Sequence, residues 1–294
     1  MRKPPKVLFI MGTGRSGTTI LEVVLANSAD VFGVGEVTHV FRDGLIRDEV
    51  CSCGEKARRC EFWSSLFRLL GWTEKTAADL DIVFRRIESH SRFFLTWLGF
   101  QKDGLLKRYR SENLSLYSRV SELAGAKTIV DSSKYAGRAW ALLQAMKDDV
   151  AVIWLVRSPD GVLSAFSKPN KEEQRPKRPL VAMMYYLYVM TCAWLVKRRF
   201  NDQVLMARYD AFVASPDETL ARIEKWSGLD LTVSRRKISE GAILDIRHIL
   251  TGNRLRKQRD LRFRVGSSEY HLETVEARIC RSVMNAWARL LKVG

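Results

Sequence analysis

A chain of 294 residues, 46% hydrophobic and 28% charged, has the composition of a folded soluble protein and is long enough to bury a substantial core. Its formal net charge of +16 excludes a neutral surface and points to a polyanionic nucleotide, an acidic acceptor, an anionic membrane surface or nucleic acid, among which charge alone does not choose. There is no internal repeat and no low-complexity segment, so a single domain over 1–294 is expected.

Met1 to Lys6 leads into the first strand without a secretory apolar region, which gives the expectation of a cytoplasmic protein. Val7 to Met11 is wholly apolar, as in a strand buried on both faces of a parallel sheet. It breaks into Gly12-Thr13-Gly14-Arg15-Ser16-Gly17-Thr18-Thr19, and Ile20 to Ala26 then continues as a helix. Strand, glycine loop and helix N-terminus together offer backbone N–H groups and a positive dipole end to a phosphate. The spacing approaches that of a nucleotide-binding P-loop, but Thr18 stands where the lysine would be and the cation is Arg15 instead. Val31 to Val34 forms the next extended element and runs into Gly35-Glu36-Val37-Thr38-His39.

Five cysteines stand at 51, 53, 60, 192 and 280. Cys51, Cys53 and Cys60 suggest a metal site with His39 as candidate fourth ligand, but paired two-residue spacings are missing and reduced cysteines in a compact loop are the simpler expectation. Residues 61–126 read as a mainly helical insertion whose aromatic residues recur at core-forming intervals.

Lys127 to Lys134 is a strand ending in Asp131-Ser132-Ser133-Lys134, polar residues where open α/β sheets gather ligands. The same serines would serve as helix caps. Ala151 to Val156 is a buried strand that runs into Arg157-Ser158-Pro159, with Ser164 on the helix that follows. Residues 168–179 are charged and proline-rich and make a candidate lid beside the site. Leu180 to Val196 is apolar but short for a membrane span, so a core helix is expected, with Lys197, Arg198 and Arg199 at its C-terminal dipole or at a membrane flank. Gln203 to Tyr209 is a further strand, residues 235–264 are densely basic, and Leu272 to Leu291 is amphipathic.

The loop with Arg-Ser-Gly-Thr-Thr, the following Gly35-Glu36, the Asp-Ser-Ser-Lys end and the Arg157 strand end together resemble the sulfotransferases. These enzymes use 3′-phosphoadenosine-5′-phosphosulfate (PAPS). The likeness is greatest to tyrosylprotein sulfotransferases and the bacterial group related to them, some of which carry a similar Cys-x-Cys-Gly insertion. The resemblance implies an α/β, P-loop-like sulfotransferase fold, with a central, mostly parallel sheet of four or five strands flanked by helices.

It further implies that Gly14, Arg15, Ser16, Gly17, Thr18 and Thr19 hold the 5′-phosphosulfate, while Arg157 and Ser164 take the 3′-phosphate. The family spaces that pair eight apart, whereas Ser164 lies seven after Arg157. Tyr209 belongs to a segment similar to the family's Tyr-Glu-Asp-Leu, and His248 to Arg256 resembles a His…Gly-Asn-x-x-Arg segment, making Asn253 and either Arg254 or Arg256 candidates for the nucleotide. Lys134 would neutralise charge on the transferring group, Ser132 and Ser133 would orient it, and Glu36, with His39 as the alternative, would take the acceptor proton. The implied reaction sulfates a hydroxyl of a sugar, lipid, tyrosine or natural product, with no metal and no nucleic acid; an acidic acceptor and a peripheral membrane contact would both suit the charge. A P-loop small-molecule kinase is the enzymatic alternative, disfavoured by Thr18. A non-enzymatic nucleic-acid binder rests on charge alone.

Overall fold

The computed structural model of the chain describes residues 6–168, 176–252, 255, 258, 260–266, 270, 272 and 274–293. Along them run β1 (Val7–Gly12), α1 (Thr18–Ala26), β2 (Val31–Gly33), α2 (Glu61–Leu70), α3 (Glu74–Glu88), α4 (Phe93–Trp97), α5 (Asp103–Ala124), β3 (Thr128–Lys134) and α6 (Ala136–Ala145). Then come β4 (Val150–Val156), α7 (Pro159–Ser167), α8 (Pro179–Arg199), β5 (Val204–Arg208), α9 (Tyr209–Ala214), α10 (Pro216–Ser227), α11 (Thr232–Ser239) and α12 (Val275–Leu290). The strands form one parallel sheet in the order β2-β3-β1-β4-β5.

This order explains the sequence pattern. β1 and β4 are buried throughout because each has a strand on both sides and helices on both faces, so they read as continuous apolar runs rather than alternating ones. Alternation reappears in what each residue touches: Val7, Phe9 and Met11 enter one core, while Leu8 and Ile10 enter the other. The first core holds residues of α2, α3, α5, α6, α8 and α12; the second holds residues of α1, α10 and α11.

From β1 the chain goes first to β2 and β3 on one side and later to β4 and β5 on the other. The carboxyl ends of β1, β3 and β4 therefore surround the topological switch point, where such sheets bind ligands. At this edge the pairing of β1 with β3 slips from Phe9–Asp131 to Met11–Lys134, a bulge that takes up one extra residue and ends at Lys134 with φ +71°.

Helices α2 to α5 fill the interval between β2 and β3. Among the described residues α8 is the one helix long and apolar enough to cross a membrane. Its Ala182, Tyr186, Val189, Cys192, Ala193 and Val196 are buried, and it packs on β1, α6, α7 and α12 as a core helix would. Leu180, Val181 and Met184 remain exposed on it. Of the candidate lid, 169–175 lie outside the described residues.

Candidate active site

The glycine loop closes against α1 through geometry that tolerates little change. Gly17 caps the helix with φ +86°, and a Cβ there would lie 2.2 Å from the Tyr209 ring. A cleft of about 400 Å³ opens in front of this helix end, lined by Gly14, Arg15, Gly17, Thr18, Thr19, Glu36, His39, Arg42, Asp43, Lys134, Gly252 and others. The Thr18 hydroxyl is buried without a partner among the described atoms, so a donor group stands ready at this lining. Arg15 has φ +66°; like Lys134 it is a non-glycine residue held in the left-handed region.

Glu36 is positioned from three sides. Gly35 turns the chain with φ +74°, and a Cβ at that position would meet the Thr251 carbonyl at 2.7 Å. The Gly35 N–H donates to Glu22, and the Gly35 carbonyl accepts from the Ser132 N–H at 3.0 Å. The Thr251 hydroxyl donates to the Glu36 carbonyl at 2.7 Å. The Glu36 carboxylate then pairs with the Lys134 ammonium, and His39 Nε2 stands 3.8 Å from its other oxygen. Burial holds the His39 imidazole below its ordinary pKa, only partly opposed by the Glu36 charge, so the ring is neutral near pH 7. Arg42 is bound to Asp43 at 2.8 Å, which removes it as the local partner of Glu36.

Glu22, a carboxylate inside the apolar α1, is fully buried, and burial raises its pKa to about 8 despite the Ser132 hydroxyl that donates to it at 2.6 Å. A protonated Glu22 thus ties α1, the Gly35 turn and β3 together.

Beyond Lys134 lies a second buried assembly. Arg138, on α6, donates from Nε to Asp131 at 2.8 Å, from Nη2 to Asn113 at 2.9 Å and Tyr117 at 2.7 Å, and pairs through Nη1 with Glu88. Thr38 donates to Glu88 through its hydroxyl and to Ser133 through its N–H at 3.1 Å, connecting this assembly to the turn that carries Glu36 and His39.

Arg157, at the end of β4, donates from Nη1 to the Arg15 carbonyl at 2.6 Å and from Nη2 to the Tyr270 hydroxyl at 3.0 Å. Its guanidinium lies 4.7 Å over the Tyr209 ring that also covers Gly17, while its Nε is buried with no partner among the described atoms. It lines a second cleft of about 480 Å³ with Ser158, Arg208, Arg281 and Arg289. Arg157 and the phosphate-type loop are therefore in direct contact.

The structure brings Gly14, Arg15, Gly17, Thr18, Thr19, Glu36, His39 and Lys134 to one cleft, with Arg157 and Tyr209 adjoining it. Several expected contacts point elsewhere. Ser16 is fully buried and donates to the Thr13 carbonyl at 2.6 Å. The Gly14 N–H donates to the Tyr185 hydroxyl at 2.9 Å and is not free for an anion. Ser132 binds Glu22 and Ser133 binds Asp131, so both serines orient protein rather than ligand. Ser164 is largely buried on α7 and is not among the residues lining either cleft. His39 belongs to the Glu36 side of the cleft, and the histidine beside Cys60 is His248. Asn253, Arg254 and Arg256 lie outside the described residues.

Sequence reasoning missed Glu22, Arg138 and Glu88. The signal for Glu22 was a lone carboxylate at a core position of an apolar helix; Arg138 and Glu88 carry no such mark.

A model of the sulfotransferase family matches residues 5–233. No curated protein matches the chain. Among solved structures, the chain is similar to the sulfotransferase domain from the curacin biosynthetic pathway, with a TM-score of 0.51 and 15% identity over 97% of this chain and 99% of that one. The sulfotransferase domain of the Synechococcus PCC 7002 olefin synthase gives 0.47 and 17% over 80% and 77%. Sulfotransferase STF9 from Mycobacterium avium gives 0.49 and 11% over 81% and 69%.

Proposed function

This chain belongs to the sulfotransferase family, and from that premise we propose that it transfers the sulfuryl group of PAPS to an acceptor hydroxyl, releasing adenosine 3′,5′-bisphosphate. The observation that carries the proposal is the convergence of Arg15, the α1 N-terminus, Lys134 and Glu36 on one cleft at the switch point of the sheet.

The cleft fits such a donor on its own chemistry: a helix N-terminus, Thr18 with its unpartnered buried hydroxyl, and the cations Arg15 and Lys134 line one volume. PAPS supplies an activated sulfuryl group whose S–O bond to the 5′-phosphate breaks as the bond to the acceptor oxygen forms, the leaving oxygen keeping the electron pair. Arg15, Thr18, Thr19 and the Gly17 turn hold the 5′-phosphosulfate. Lys134 offsets the charge that develops between donor and acceptor, and Glu36 takes the acceptor proton, with the neutral His39 beside it as the alternative base. Ser132, Ser133 and Glu22 position this end of the cleft rather than touching substrate. Arg157, in contact with the Arg15 carbonyl, meets the 3′-phosphate in exchange for the Tyr270 hydroxyl.

Thermal unfolding with added nucleotide tests the reading. Adenosine 3′,5′-bisphosphate is expected to raise the Tm well above any effect of ATP with magnesium. The reverse ranking would replace the sulfotransferase reading of the donor with the kinase one.

A further inference from the structure

We infer that Cys51, Cys53, Cys60 and His248 form a structural zinc site that fastens the segment ending at the active cleft. Their three sulfurs and one imidazole nitrogen all lie within 4.8 Å of one another. Cys53 Sγ is 3.6 Å from Cys60 Sγ, and Cys60 Sγ is 3.3 Å from His248 Nδ1. A tetrahedral ion with metal–sulfur bonds of about 2.3 Å holds its sulfurs roughly 3.8 Å apart and sulfur and nitrogen roughly 3.5 Å apart. A disulfide would bring two sulfurs to about 2.05 Å. The thiolate-rich, closed donor set suits zinc and not magnesium or calcium, which take oxygen ligands.

The surroundings are built to hold these four groups. Cys51 and Cys53 sit on a tight turn in which the Cys51 N–H donates to the Glu55 carbonyl at 2.8 Å and the Gly54 N–H to the Cys51 carbonyl at 2.9 Å. Cys60 is the N-cap residue of α2. His248 arrives from a segment 188 residues further along, its ring stacked on Phe62 at 5.5 Å and its carbonyl accepting from the Trp63 indole N–H at 2.8 Å. Ser52 closes the arrangement, donating to the Arg247 carbonyl at 2.6 Å and accepting the Ile249 N–H at 2.8 Å. Supports that fix ligand orientation from outside the coordination sphere are typical of metal sites.

The position gives the site a role. Three residues beyond His248, Thr251 donates to the Glu36 carbonyl, and Gly252 lines the cleft. A metal at this point joins the 51–60 loop, the start of α2 and the strap over Glu36 into one unit.

The test uses the full chain without a histidine tag, purified in reducing buffer from zinc-supplemented cells. Elemental analysis is expected to find about one zinc per chain. Chelation should remove it and lower the Tm, and cobalt should replace it with the intense visible absorption of a tetrahedral thiolate site. Cys53→Ser combined with His248→Ala should reduce zinc at least about tenfold, whereas Cys192→Ser with Cys280→Ser should retain it. Background zinc in the unaltered chain, together with no uptake of zinc or cobalt on addition, would overturn the inference. So would a mass and thiol count showing a Cys53–Cys60 disulfide in the reduced preparation.

Discussion

The Lys134 ammonium is paired with the Glu36 carboxylate, two residues 98 apart in sequence. The pair brings the ends of β2 and β3 together at the cleft, and it places the cation that would offset donor charge beside the carboxylate that would accept a proton. Glu36 in this setting is expected to act only once an acceptor hydroxyl competes for it. Glu36→Gln should keep adenosine 3′,5′-bisphosphate affinity within about threefold, by calorimetry, while lowering sulfate transfer at least about 100-fold. A variant retaining most of its turnover would transfer the base role to His39.

Arg157 donates to the Arg15 carbonyl and to Tyr270. Loss of a charged hydrogen-bonding group to a phosphate should cost about 1.5–3 kcal/mol, so Arg157→Ala is expected to weaken adenosine 3′,5′-bisphosphate roughly 10- to 150-fold. Tyr270→Phe removes the competitor for Nη2 and should leave the affinity equal or tighter. Unchanged binding by Arg157→Ala would place the 3′-phosphate elsewhere, with Arg208 and Arg281 of the second cleft among the remaining cations on that side.

Glu22 predicts a pH dependence of stability. In the folded chain it keeps its proton up to about pH 8, whereas its ordinary value is 4.5, because burial disfavours the carboxylate. Between these values the unfolded chain binds fewer protons, so this group's contribution to stability declines as pH rises from about 4.5 towards 8. Glu22→Gln keeps an acceptor for the Gly35 N–H without the titration. Its Tm relative to the unaltered chain should rise between pH 5 and pH 8, and a constant difference across that range would show that Glu22 is ionised throughout.

Arg138 is fully buried and bonds both Glu88 and Asp131. Arg138→Met fills similar volume but leaves two buried carboxylates without their cation, which should cost about 3–5 kcal/mol by denaturant unfolding. Replacing Arg138, Glu88 and Asp131 together by apolar residues should recover much of that loss. If it does not, the packing of the arginine stem outweighs the ion pairs.

The sheet was legible because strands buried on both faces of a parallel sheet leave continuous apolar runs; Val7 to Met11 and Ala151 to Val156 need no partner to be recognised. The glycine loop and the Gly35-Glu36 turn were legible as local backbone features for a different reason, since short-range spacing and turn chemistry define them. What failed depended on side-chain direction or distant pairing. Ser132 and Ser133 are adjacent on β3, so alternation alone sends them to opposite faces, and each found a buried carboxylate there. The choice between His39 and His248 as neighbour of the cysteines rests on a contact across 188 residues, which spacing does not encode. The Arg138 assembly likewise gathers residues from α3, α5, β3 and α6.

Arg15 and Lys134, two of the cations that line the cleft, both occupy backbone conformations that suit glycine or asparagine better. A left-handed conformation in a side-chain-bearing residue costs about 1–3 kcal/mol. Laboratory selection for heat resistance alone should therefore drift towards glycine or asparagine at these two positions, erasing the enzyme's charge in the same step that hardens its scaffold. Stabilisation campaigns on this protein need a turnover screen running beside the thermal one, with 15 and 134 held fixed.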